Sequence, residues 1–376
     1  MSRDPDPVAL EGGLHRFVHR TRPLEVRFGA GRVAEAGSLL ETCGIRRALV
    51  VSTRSGMVRA VSMLEALGEG VAGRFDGARV HVPEPVVTEA LRVADHSGAD
   101  GYLAVGGGSA IGVAKAMALE TGAPMVAVPT TYSGSEMTHV WGVTSAGGKR
   151  TGRDDRVAPR GVIYDPELLA GLPSPLGAES GVNALAHAVE ALYAPDRTPL
   201  STLLAEEGIR ALGEGLPGLL RRPEDLTHPS TTLRGAHLAG WALDLTTMGL
   251  QHKLAHVLGG TFDLPHARVH AILLPHVVAW NGPAAPGAMR RLVRALGGDG
   301  ATEGEGSGVP RGAAALERLN DRVGIPRSLA HLELDRGALE QAADLALEAP
   351  YANPRPVTRD GVREILESAW SGRSYL

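Results

Sequence analysis

The chain has 376 residues, 43% of them hydrophobic and 21% charged, with a formal net charge of −4. That length exceeds the usual reach of one hydrophobic core, so two domains are expected, and interspersed acids and bases argue against a nucleic-acid surface. The single cysteine, Cys43, excludes an intrachain disulfide framework, no apolar run reaches the roughly 18 residues of a membrane span, and residues 1–13 lack the apolar core of a secretory signal, so the expected location is cytoplasmic.

In chain order, the first half alternates short apolar runs with helical patterns. Residues 47–52 (RALVVS), 101–105 (GYLAV), 125–128 and 161–164 predict buried strands. Helical segments between them, such as 60–67 and 87–94, indicate βαβ units and a mainly parallel sheet. From about Pro173 the pattern changes to long Ala/Leu-rich stretches, 177–192, 201–220, 231–248 and 250–258, with few β-branched runs. The expected architecture is an α/β domain over residues 1–172 followed by an all-helical domain over 173–376. A Gly/Ser/Glu-rich section, 297–308, reads as an exposed loop.

Two loops of the first domain follow strand ends. Gly106-Gly107-Gly108-Ser109 comes directly after Val105 and precedes a helical pattern over 110–119. A phosphate placed there would meet unpaired helix amides and the positive dipole end, with glycines allowing close backbone approach. The run departs from GxGxxG, and no GK[ST] follows it, so spacing alone leaves phosphate binding and a tight structural turn both open. The second loop, Pro129-Thr130-Thr131-Tyr132-Ser133-Gly134-Ser135-Glu136, sets hydroxyls beside a glycine. Hydroxyl-rich turns are also common without a ligand.

In the helical half, Asn183 and His187 are spaced i,i+4, as are His252 and His256, and Pro265-His266 follows. On helices each pair shares a face. Any one of these histidines reads as a packed core residue, but buried imidazoles need partners, and histidine both titrates near neutrality and ligates metals. The spacing is not that of a structural zinc site. His270, four residues after His266, can join this network, but flanking Val269 and Ala271 give it no independent functional claim.

Taken in order, Gly106-Gly107-Gly108-Ser109, Pro129-Thr130-Thr131 with Gly134-Ser135-Glu136, Ala184-Leu185-Ala186-His187-Ala188-Val189-Glu190, then His252, His256 and Pro265-His266 resemble the iron-containing alcohol dehydrogenase family. Three longer stretches, 130–138 (TTYSGSEMT), 151–154 (TGRD) and 180–187 (SGVNALAH), are most similar to its branch that reduces the carbon–carbon double bond of maleylacetate to 3-oxoadipate. The resemblance implies an α/β NAD(P)-binding domain and a helical catalytic domain with the active site in the cleft between them. It implies that Gly106, Gly107, Gly108 and Ser109 hold the cofactor pyrophosphate, and that Thr130, Thr131, Ser135 and Thr53 line the dinucleotide. Homodimers are usual among such relatives, and a role in aromatic-compound degradation is expected.

Metal-dependent relatives use an Asp and three His, where this chain has Asn183, His187, His252 and His266. Asn is neutral and a poorer ligand than carboxylate, so turnover with NADH or NADPH and no essential metal is expected, these four being the ligand set if a metal is bound. By the same resemblance His256 lies near the reactive end of the nicotinamide and is the leading proton-delivery residue, with His252, His187 and His266 completing the catalytic pocket. The substrate is expected to be a small unsaturated oxo-dicarboxylate. Lys149, Arg150 and Arg153 form a short basic patch, and Arg153, Lys253 and Tyr132 are the candidate substrate contacts. Ser52-Thr53-Arg54 follows the first core strand, where Arg54 can accept a 2′-phosphate or face solvent, so the choice between NADH and NADPH stays open. Two alternatives stand beside this reading: a metal-dependent alcohol dehydrogenase or aldehyde reductase, and a catalytically weak nicotinamide-binding sensor or assembly protein.

Overall fold

The computed structural model describes residues 17–146, 148–221, 225–298 and 311–376; most of the loop expected over 297–308 and the stretch 1–13 fall outside them. The chain divides into two compact units, one formed by Thr21–Leu172 with Glu224–Leu233, the other by Met1–Arg20, Pro173–Pro223 and Arg234–Leu376.

The first unit is built on strands β1 (Glu25–Phe28), β2 (Ala48–Val51), β3 (Val71–Phe75), β4 (Gly101–Gly106), β5 (Met125–Pro129), β6 (Val140–Ser145), β7 (Gly148–Arg153) and β8 (Gly161–Tyr164). Six of them form one sheet in the order β1-β8-β5-β4-β2-β3, with every pair parallel. Every residue of β2, β4, β5 and β8 is buried. Strands covered on both faces carry continuous apolar runs, so these four are the ones the sequence predicts. The edge strands β1 (EVRF) and β3 (VAGRF) are only partly buried and mix charge with apolar residues, so they escape a search for hydrophobic runs. β6 and β7 form a separate antiparallel hairpin.

Helices α1 (Ala36–Thr42), α2 (Arg54–Arg59), α3 (Val61–Leu67), α4 (Glu84–Ser97) and α5 (Gly108–Thr121) complete this unit. The helix expected over 60–67 is α3, and it is preceded by α2, the two meeting at Ala60. The first begins earlier because the Thr53 hydroxyl caps it, accepting from Gly56 N at 3.2 Å.

In the second unit the described residues contain no strand. Its helices are α6 (Ser174–Ala191), α7 (Pro199–Leu219), the later part of α8 (Thr227–Asp244), α9 (Leu250–Thr261), α10 (His266–Asn281), α11 (Pro286–Ala295), α12 (Arg311–Arg322), α13 (Ala338–Leu347) and α14 (Arg359–Ser371). Thr198 and Ser201 form a capping box at the start of α7. Every residue of α6 from Gly177 to Ala191 is buried, which makes it a core helix rather than an amphipathic one. It packs on α7 and α10, and α10 in turn packs on α9, α12 and α14. Leu185, Leu254 and Leu273 on these helices are 0% exposed, and truncating any of them would cost about 2–5 kcal/mol.

Candidate active site

The sheet order decides where a ligand can bind in the first unit. β2 is followed in sequence by β3 on one side and by β4 on the other, so the winding reverses between β2 and β4. In open parallel sheets the crevice outside the strand C-termini at such a reversal is the usual ligand site. Ser52, just past β2, donates to the Val105 carbonyl at the end of β4 at 2.6 Å and ties the two strand ends together.

The glycine loop begins at that tie. Gly106 has φ 148°, a conformation that favours glycine. Gly107 is the N-cap of α5 and has no side chain to satisfy the amides of the first turn. A Cβ on Gly107 would lie 2.8 Å from Thr131 Oγ1, whereas one on Gly108 would meet nothing closer than Ser133 Cβ at 4.0 Å. The helix end thus offers backbone donors beside open space, and these residues fit a dinucleotide phosphate. Ser109 lies in the same first turn.

The hydroxyl loop is held against the glycine loop. Thr130 N donates to the Gly106 carbonyl at 3.1 Å. Lys115, 1% exposed in the middle of α5, donates to Ser135 O at 2.6 Å, Thr138 Oγ1 at 2.8 Å and Val140 O at 2.9 Å. Beside them Glu136 is fully buried, accepting from the Tyr164 hydroxyl at 2.9 Å, and burial pushes its carboxyl up. Neither Lys115 nor Glu136 was assigned a role from sequence. A lysine inside an Ala-rich helix ordinarily faces water, and nothing local signals otherwise.

Other candidates of this unit are placed as follows. Tyr132 is 1% exposed, and burial raises its phenol. The Thr53 hydroxyl is engaged as the cap of α2. Arg54 is exposed, 3.9 Å from Asp76. Lys149, Arg150 and Arg153 all lie on β7, and strand alternation puts Arg150 on the face opposite the other two. Arg150 approaches Glu84 at 3.9 Å, while Arg153 is exposed at the strand end, opposite Val140.

In the second unit, α6 carries a buried polar stripe, Glu179, Asn183, His187 and Glu190, at helical spacing. His187 stacks on His252 of α9 with ring centroids 5.0 Å apart. His270 of α10 lies 4.7 Å from His252, 4.6 Å from His266 and 6.1 Å from His187. His256 closes the group, 5.4 Å from His266 and 6.3 Å from His252. The helices therefore bring together all four histidines singled out above, and His270, whose i,i+4 spacing from His266 suggested that it could join them, lies at the hub of the cluster.

Around the rings, side-chain partners orient His252 and His270. His252 Nδ1 is hydrogen-bonded to Glu190 Oε2, and Glu190 Oε1 accepts from Gln251 N at 2.9 Å. The carboxylate keeps a proton on Nδ1 and leaves Nε2 to the cluster. Gln251 Nε2 reaches His270 Nδ1 at 3.3 Å and its carbonyl at 3.0 Å. Glu179 accepts from Arg268 at 2.6 Å. Burial first, then the neighbouring imidazoles, holds His187 and His270 well below the usual histidine range, so both rings are neutral at pH 7. His187 Nδ1, His252 Nε2 and His270 Nε2 are buried with no hydrogen-bond partner among the described residues. Three such nitrogens in one place are what a candidate ligand-binding surface requires. His256, His266 and Lys253 are half-buried and form its more accessible side.

Among the described residues no three His, Cys, Asp or Glu are disposed to hold a metal ion, and the position beside His187 is the neutral Asn183.

A parallel sheet with a phosphate-type loop at its winding reversal, and a helical unit with a histidine cluster, define the general class: a nucleotide-dependent α/β–helical protein. Family models agree in both parts: iron-containing alcohol dehydrogenase matches residues 23–166, and the C-terminal region of the Fe-containing alcohol dehydrogenase family matches residues 177–370. The chain belongs to the iron-containing alcohol dehydrogenase family. It is 47% identical over 359 residues to maleylacetate reductase from Burkholderia cepacia, covering 96% of this chain and 99% of the relative. It is 48% identical over 364 residues to maleylacetate reductase 2 from Cupriavidus pinatubonensis, with the same coverage. The crystal structure of maleylacetate reductase from Agrobacterium tumefaciens superposes with TM-score 0.88 at 41% identity, covering 95% of this chain and 99% of the other.

Proposed function

We propose that this protein is an NAD(P)H-dependent oxidoreductase that reduces the carbon–carbon double bond of maleylacetate to give 3-oxoadipate. Full-length similarity to maleylacetate reductases carries the substrate assignment, and the Glu190-oriented His252 beside the neutral rings of His187 and His270 supports the chemistry. Bound NAD(P)H supplies the hydride. Gly106, Gly107, Gly108 and Ser109 hold its pyrophosphate on the first turn of α5, and Thr130, Thr131, Ser135 and Thr53 line the dinucleotide.

The alkene is conjugated to the 4-oxo group. Hydride adds at the carbon β to that ketone, the electron pair moves onto the ketone oxygen as an enolate, and a proton then enters at the α carbon. The protein's task is to orient the alkene and stabilise that oxygen. His252, with Glu190 behind it, is suited to this: when its ring takes up a second proton, the carboxylate stabilises the imidazolium and Nε2–H becomes a donor. His256, half-buried at the accessible side, delivers the proton to carbon, with His187 and His266 shaping the pocket. Lys253, Arg153 and Tyr132 are the carboxylate contacts. Stabilisation by imidazole donors needs no Lewis acid, and we infer turnover without an essential metal, in a cytoplasmic homodimer.

The test is NAD(P)H oxidation with freshly generated maleylacetate, compared with an aldehyde panel, with product identification. Formation of 3-oxoadipate at high kcat/KM is the expected result. Inert maleylacetate with efficient aldehyde turnover would replace this reading by an alcohol dehydrogenase, and cofactor binding without turnover of either would replace it by a sensor.

A further inference from the structure

α10 carries a second polar cluster beyond the catalytic one. His276, six residues after His270 and so about 9 Å further along the helix, is 4% exposed. Its Nδ1 lies 3.0 Å from Ser368 Oγ of α14 and 3.1 Å from Tyr375 Oη, and the two hydroxyls are 3.1 Å apart. Each hydroxyl can donate to Nδ1 or to the other, so this wall is rigid and uncharged. Burial keeps the ring neutral at pH 7.

The three groups line a cavity of about 290 Å³ with Trp280, Ile365, Arg355 and Arg373. That volume suits a small organic molecule. The Arg355 guanidinium lies 4.4 Å over the Trp280 ring and donates to the Trp280 carbonyl at 3.2 Å, while Arg373 lies 6.0 Å over Tyr375. Stacking holds planar forks in place and leaves their N–H edges for a carboxylate. Neither arginine makes an ion pair among the described residues; the lining acids are Glu364, which is exposed, and the carboxylate of the final residue, Leu376. Stacked arginine edges and an apolar wall together select an amphiphile.

We propose that this cavity is a binding site for a small monocarboxylate with an apolar body, of the aromatic carboxylate class. The carboxylate meets the Arg355 and Arg373 forks, and the body lies against Trp280 and Ile365.

The probe is benzoate, titrated into the full chain by calorimetry and thermal shift. Inorganic phosphate serves as an anion without a body and benzyl alcohol as a body without charge. Benzoate is expected to bind with Kd on the order of 1 mM, and both controls about tenfold or more weaker. Two variants locate the site: Arg373→Gln removes one fork, and Ala279→Phe fills the cavity from α10. Each is expected to weaken benzoate about tenfold while kcat/KM for NAD(P)H-dependent reduction stays unchanged, and either suffices if the other does not fold. Benzoate affinity unchanged in a folded variant would put the binding elsewhere and overturn the proposal. So would equal affinity for phosphate or benzyl alcohol, or no benzoate binding at tens of millimolar.

Discussion

Glu190 governs the polarity of the histidine cluster, because its carboxylate holds the proton on His252 Nδ1 and leaves Nε2 facing the other rings. In Glu190→Gln the amide oxygen still accepts from Nδ1, but the charge that stabilises an imidazolium is lost. We expect kcat to fall about 10–100-fold with the cofactor KM unchanged. Steady-state kinetics test this, and an unaltered kcat would remove Glu190 from the catalytic arrangement. Two other buried rings make a separate statement about pH. Burial pushes His276 and His237 down from 6.5 to about 4. Lowered folded-state values favour the neutral ring, so the stability they contribute is complete above about pH 6.5 and is lost as pH falls toward about 4. Each contributes about 3 kcal/mol on that scale, and His187 and His270 shift in the same direction. Urea midpoints at pH 7 and pH 4.5 should therefore differ strongly, whereas a flat profile would mean that these rings are charged in the folded protein.

At the scale of elements, α5 carries both the proposed phosphate-binding end and the buried Lys115 anchor. Gly107→Ala puts a methyl group 2.8 Å from Thr131 Oγ1 and 2.9 Å from its Cγ2. Relief of that clash separates the two loops, so the KM for NAD(P)H should rise about tenfold or more; a KM within twofold of wild type would show that the loops need not be this close. Lys115→Met leaves the Ser135 and Val140 carbonyls and the Thr138 hydroxyl without their ammonium donor. Its expected cost is about 2–4 kcal/mol, read as a drop in denaturant midpoint. Loss below 0.5 kcal/mol would show that the three groups find other donors.

For the molecule as a whole, the decisive question is whether turnover needs a metal. If the resemblance holds at this position, Asn183 stands where an Asp is expected in metal-dependent relatives and carries one unit of negative charge less. Exhaustive chelation followed by assay with maleylacetate is expected to leave activity intact, with elemental analysis before and after. A stoichiometric metal whose removal reversibly abolishes turnover would return the alcohol dehydrogenase reading. No described helix is long and apolar enough to cross a membrane.

Several features of this protein are determined by local sequence. The buried strands β2, β4, β5 and β8 announce themselves as apolar runs, and the change to Ala/Leu-rich helices after Pro173 is visible without coordinates. So are the glycine loop and the i,i+4 histidines, because helix and strand periodicity are set by neighbours a few residues apart. Tertiary structure decides what those pieces do together. The sheet order that puts Ser52 and Val105 side by side spans 53 residues of chain, and the pairing of Glu190 with His252 spans 62. Glu190 and His252 each sit within a motif legible in the sequence, yet nothing local announces that the two pair. His270 becomes the hub only when α6, α9 and α10 pack, and Lys115 is inside only because the 135–140 segment folds over it. Contacts between distant segments depend on which faces pack together, and periodicity marks a face as buried without naming what it is buried against.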